Sequence, residues 1–232
     1  ETASYYNIGA LHPQGQRGPG YAAVCVCSRE FGAVAERKLN MNKNTKKLVG
    51  VALFTAIVVV LQLLGSFIKF GPFSVSLVLI PIVVGTALYG IGAGVWLGIA
   101  FGVTVLASGD ASAFLAVNVP GTIITVLAKG AAAGLLAGAV YKLLEKKNKT
   151  LATVCAAIAC PIGNTGVFLL GCALFFMPTI EGWAAGLGME SAGTYMITTL
   201  VGFNFIFEML VNIILSPIIV RLIGLGKKEI KA

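Results

Sequence analysis

From Lys47 onward the chain is a succession of apolar runs, each close to the length needed to cross a bilayer. Six runs fall near 47–68, 74–89, 91–108, 119–144, 150–177 and 195–223. A helix that spans the hydrocarbon core needs about 20 residues, with a range of about 17–25. Composition agrees with this reading. Hydrophobic residues make up 57% of the chain and charged residues 11%, whereas soluble domains carry about 25% charged residues. The expected fold is therefore an all-α integral membrane protein with six transmembrane helices.

The second and third runs are short, and only Tyr89-Gly90-Ile91-Gly92 separates them. Read as one long helix they would reverse the direction of everything downstream; read as a tight hairpin they give six spans. Charge decides between the two. With six spans and the N-terminus inside, eleven of the thirteen basic residues after Met41 fall in cytoplasmic segments. The outer loops then hold Lys69 alone, with Asp110, Glu181 and Glu190. This asymmetry follows the positive-inside rule and places both termini in the cytoplasm. Five spans would spoil it. The net charge of +8 is thus a topology signal, and nucleic acid is not an expected partner.

Residues 1–40 differ from the rest: they are polar, aperiodic and contain glycine and proline. They lack the apolar core of a signal peptide. A start residue, Met41, a basic cluster and the first apolar run follow. The preceding Glu-Arg-Lys-Leu-Asn can be encoded by a purine-rich run like a ribosome-binding sequence. The expectation is that 1–40 is a non-native upstream segment or a disordered extension, and that the membrane domain is 41–232.

Close packing between helices in lipid relies on small residues, because lipid offers little hydrophobic drive for association. The third run carries Gly90, Gly94, Gly98 and Gly102, and the fourth carries Gly130, Gly134 and Gly138. A spacing of four puts each set in one stripe on a helix face, so both stripes are expected to mark tight helix contacts. Pro81 and Pro217 are expected to bend their helices, since proline removes an amide donor. Ala52 and Ala56 form a small-xxx-small pair on the first helix.

Lys129 stands about ten residues into the fourth run, roughly 15 Å deep at 1.5 Å per residue. A lone lysine at that depth costs about 2.5–3.5 kcal/mol. The sixth run offers compensation, because Asn204, Glu208 and Asn212 line one helix face. The fifth run adds Asn164 at similar depth, within a stretch loosened by Pro161, Gly163 and Gly166. Two roles fit this set. One is a Lys129–Glu208 pair that ties helices together. The other is a polar pocket for a small solute, the default reading of intramembrane charge. The outer loops supply a roof: Asp110 and Asn118 in 109–118, and Trp183 in 178–194, placed to stack on a ligand or to anchor at the interface. Gly186, Gly188 and Gly193 in that second loop would let a lid move.

Several function classes drop out. The single histidine is His12, and the cysteines form no CxxC pair, so no metal site or cofactor is expected. Without a histidine after Met41 no Ser-His-Asp set exists there, which argues against an enzyme. The polar residues gather near mid-depth and above instead of lining a whole path, which argues against a channel. A self-contained secondary transporter using an intramembrane Lys/Glu pair is the remaining rival, although the halves show no matching inverted repeats.

The basic start followed by Ala52-xxx-Ala56, six spans, a glycine-rich fourth helix ending YKLLEKK, and polar residues on helices four to six together resemble the substrate-binding S components of energy-coupling factor (ECF) transporters. The resemblance covers about 47–225. It implies a multi-pass protein of the bacterial cytoplasmic membrane that binds a water-soluble vitamin or related micronutrient from outside. It implies as partners a membrane coupling subunit, met by the Ala52/Ala56 face, and two ATPase subunits. The chain itself has no GxxxxGK[ST] phosphate loop, consistent with ATP hydrolysis supplied in trans. Substrate-binding residues are then expected to include Lys129, Asn164, Asn204, Glu208, Trp183 and Asn118. Lys129 favours an anionic, pantothenate-like ligand first, and a riboflavin-like ligand second.

Overall fold

A computed structural model of the chain describes residues 43–67, 69–70, 73–74 and 77–231. The extension at 1–40 and the start at Met41 lie outside the described residues. Nine helices follow in order among the described residues: α1 (Lys43–Ser66), α2 (Leu79–Tyr89), α3 (Ile91–Ser108), α4 (Ser112–Leu115), α5 (Val119–Leu144), α6 (Lys149–Phe175), α7 (Met177–Gly186), α8 (Ala192–Tyr195) and α9 (Phe203–Lys231). A π-helical segment, Met196–Gly202, joins α8 to α9. A two-residue hairpin pairs Lys69–Phe70 with Phe73–Ser74.

Five helical stretches are long and apolar enough to cross a membrane: Asn44–Ser66, Ile91–Ser108, Val119–Leu144, Lys149–Phe175 and Ala192–Lys227. The sixth apolar helix, α2, has 11 residues, about 16 Å at 1.5 Å per residue. That is shorter than a hydrocarbon core of about 30 Å. Within the run expected at 74–89, α2 begins at Leu79, and Ser74 belongs to the hairpin. Pro81 falls in the first turn of α2, where its missing amide has no intrahelical partner to lose, so the cause of the bend expected there is absent. Length lost by α2 is matched by burial: Leu79, Ile82, Val83, Val84 and Ala87 are all in the main apolar core.

The capping chemistry is local. The Asn118 carboxamide accepts from Gly121 N at 3.0 Å and starts α5 just before Pro120. Asn148 caps α6 by accepting from Thr150 N at 2.9 Å. Between α2 and α3, Gly90 adopts φ 93°, ψ 174°, a conformation essentially confined to glycine. Gly90 is thus the turn itself and meets nothing within 4 Å, unlike the rest of its stripe.

The other glycines of the two stripes bring α3 and α5 together backbone to backbone. A Cβ added at Gly98 would overlap the Gly130 carbonyl, and one at Gly130 would overlap the Gly98 carbonyl. Gly94 and Gly134 stand in the same reciprocal relation, while a Cβ added at Gly102 would come within 2.9 Å of the Val126 carbonyl oxygen. Gly138 sits beside Thr86 and Ile91. The paired numbers fall on one helix as they rise on the other, so α3 and α5 run antiparallel.

The segment expected as a flexible loop at 178–194 is largely helical. Met177–Gly186 forms α7, opened by Pro178 and held by Ile180 and Ala184 against Cys172 and Phe176. Gly186 closes that helix, and only Gly188 of the three lid glycines has a left-handed backbone, φ 69°.

Candidate functional site

Lys129, Asn164, Asn204 and Glu208 line one cavity of about 60 Å³. Space of that size holds about four water molecules. Helix α5 brings Lys129, Thr122 and Thr125; α6 brings Asn164 and Phe168; α9 brings Asn204 and Glu208; α3 brings Phe101. The 3.6-residue period explains the sets: 122, 125 and 129 lie on one face of α5, and 204 and 208 on one face of α9. The π segment stands immediately before Asn204, and its Leu200 and Val201 wall a second space of about 40 Å³ that shares Lys129, Asn164 and Asn204. Such π distortions are frequent at functional sites.

The Lys129 ammonium lies over two rings, 5.1 Å from the Phe168 centroid and 5.8 Å from that of Phe101. Among the described residues it forms no salt bridge. Glu208 and Asp110 line the same cavity. Glu208, 2% exposed, accepts on Oε1 from Asn204 Nδ2 at 3.2 Å. Asn212 donates to the Glu208 carbonyl oxygen at 2.8 Å and, one turn further on, does not reach the cavity. The lysine charge is therefore held by ring faces and by carboxylates at a distance.

Two polar wall residues come from outside α5, α6 and α9. Gln62, from α1, is 1% exposed and donates through Nε2 to Asp110 Oδ2 at 2.8 Å. Ser108 donates to the same carboxylate oxygen at 3.2 Å. Asp110 thus belongs to the wall as well as to the roof. Gln62 escaped the sequence reading because a single glutamine in an apolar run has no periodic partner; its place inside a membrane span was the available clue.

Asn118 does not line the cavity, because its side chain is spent on the cap of α5. Trp183 lies above, in an open depression of about 560 Å³ that also includes Asp110, Phe114, Tyr195 and Leu200. Phe114 and Asp110 border both spaces. The Phe114 ring stacks edge-on against Phe176 at 5.1 Å, Trp183 at 5.6 Å and Phe168 at 5.7 Å. It is an aromatic plug between the depression and the cavity.

At the other end of the molecule, Ala52 and Ala56 face outward. Ala52 lies in an open apolar groove of about 750 Å³ between α1 and α3, with Leu48, Val51 and Trp96.

The family model for the substrate-specific component of ECF transporters matches residues 46–220. The chain belongs to this family. No curated protein and no solved structure matches it. Family membership makes this S component a membrane-embedded, substrate-binding subunit of a micronutrient transporter and not an enzyme. The match runs from the basic start of α1 into the second half of α9, so it includes every residue that lines the cavity.

Proposed function

We propose that this S component captures a small water-soluble vitamin or related micronutrient from the outer face of a bacterial cytoplasmic membrane and holds it in the cavity around Lys129. The observation that carries the reading is the meeting of Lys129, Asn164, Asn204 and Glu208, from three helices, at one buried space. Lys129 would receive an acidic group, which ranks an anionic, pantothenate-like solute first and a riboflavin-like one second. The depression bearing Trp183 would be the entrance, with Phe114 moving aside to join it to the cavity. A vitamin is larger than about 60 Å³, so binding and opening go together.

In this reading six segments span the membrane, α2 among them, with both termini inside. Ala52 and Ala56 would meet the membrane coupling subunit, and two ATPase subunits would supply the energy. Their outward orientation beside an unfilled apolar groove supports that docking role.

Native mass spectrometry of the purified full chain in mild detergent, after exposure to a vitamin mixture, tests the proposal. One retained ligand is the expected result. A folded sample that retains none, yet moves solute in liposomes without ATP or partners, would establish the secondary-transporter alternative instead.

A further inference from the structure

Three buried polar atoms at the cavity have no hydrogen-bond partner among the described residues: Gln62 Oε1, Thr125 Oγ1 and Asn164 Oδ1. Their residues are 1%, 4% and 7% exposed, they come from α1, α5 and α6, and all line the same space. A buried polar atom left without a partner costs about 1–3 kcal/mol, and native folds carry few of them. Three around one cavity mark a surface prepared to hydrogen-bond a ligand.

The orientation of Gln62 follows from its neighbour. Its Nε2 donates to the Asp110 carboxylate, which accepts and cannot donate, so the amide cannot be turned round. Oε1 is left for the cavity. Thr125 is distinguished by comparison with its own helix. Thr122, one turn earlier, donates to the Asn118 carbonyl at 2.7 Å, and Thr86 and Thr104 bond back to their helices in the same way. Thr125 does not, so its hydroxyl is available.

We infer that the ligand of this site presents at least one N–H or O–H donor to Gln62 Oε1, on the wall that Gln62 shares with Thr125 and Asn164, and that Gln62 is a specificity-determining residue. The inference rests on the receptor reading above. It narrows the ligand to a solute bearing hydroxyl, amide or ureido hydrogens, whatever group faces Lys129. A ligand without donors would displace water from Gln62 Oε1 and return nothing to it, which loses affinity. Sites built to bond a substrate hydroxyl or amide reject analogues lacking it by up to about ten-thousand-fold or more.

The test uses the full chain in detergent and five probes added singly. Pantothenate, biotin and riboflavin carry such donors; nicotinate and lipoate, once ionised, carry none. A donor-bearing probe is expected to outbind both donor-free acids by at least about 100-fold. Gln62→Met should weaken it by at least about 10-fold and leave the donor-free acids unchanged. Gln62 also holds Asp110, so if that variant does not fold, Thr125→Val removes one hydroxyl at constant shape and should narrow the same ratio. Nicotinate or lipoate binding as tightly as the donor-bearing probes overturns the inference, as does an unaltered ratio in the folded variants. Either result would leave the receptor reading standing. A folded wild-type chain that retains none of the five overturns the inference too, and the vitamin mixture and liposome assay above then decide the receptor reading.

Discussion

Helix α5 meets α3 along one face and looks across the cavity to α9 along another, and the two sides are made differently. Along α3 the contact is backbone against backbone, with Gly98 set on Gly130 and Gly94 on Gly134. Along the cavity, Lys129, Thr125, Asn164 and Glu208 keep polar groups in a space with room for water. Van der Waals contact in lipid is strongest where backbones approach closely, while unpaired buried polar groups oppose folding. The close seam holds α5 in place so that the polar side can carry that cost.

Breaking the seam should have the largest effect. Gly130→Val would drive side-chain atoms into the Gly98 carbonyl, and overpacking of this kind costs about 3 kcal/mol. Loss of the monodisperse folded species, or a large drop in thermal midpoint, is expected. Gly92→Ala, in a position with nothing within 4 Å, should change the midpoint little.

The cavity side should respond in the opposite sense. Lys129→Met removes a buried charge that forms no salt bridge among the described residues, so stability should hold or rise by about 1 kcal/mol, while affinity for the retained ligand falls about 10- to 100-fold. Parallel melting and binding titrations separate the two quantities. A drop in stability of about 3 kcal/mol would instead make Lys129 a structural tie.

Phe114 belongs to neither side and sharpens the contrast. Phe114→Leu keeps an apolar filler but removes the ring that meets Phe176 and Trp183. Ligand association and dissociation should both quicken, by about 10-fold, or about 1.4 kcal/mol of barrier, with a smaller change in affinity. Stopped-flow fluorescence of Trp183 would read this.

The smallest effect belongs to the Lys227–Glu145 salt bridge at 3.2 Å, whose side chains remain 30% and 36% exposed. Lys227→Met should cost at most about 1 kcal/mol in a melting experiment and leave ligand binding unchanged.

The successes and failures of the sequence reading have physical causes. Apolar runs of bilayer length and glycines every four residues are local patterns, and α3, α5 and α6 lie within a residue or two of their expected bounds. Gly90 fits the spacing of its stripe but stands one residue outside the helix, where its positive φ makes the turn. Periodicity alone does not distinguish a glycine that packs from one that turns. Asn118 looked like a roof residue because it is polar and near the outside, yet an asparagine just before a proline-led helix start is a cap signature. The run at 74–89 is uniformly apolar, and hydropathy carries no information on where its helix begins. Gln62 and Asp110 were separated by a whole hairpin, and only their 2.8 Å hydrogen bond makes them one feature.

The sequence by itself determined the solvent of this protein, the identity and approximate bounds of most of its helices, and its family. These follow from local hydropathy, charge and spacing, which act within one helix at a time. The tertiary structure decided which faces meet: that the glycines of α3 and α5 pair reciprocally, that α2 is too short to match the others, and that Gln62 and Asp110 join Lys129 and Glu208 around one space. Those outcomes depend on the rotation and depth of each helix relative to its neighbours. Rotation and depth are set by the close backbone contacts of the seam and by the packing of distant side chains, and no single helix encodes them.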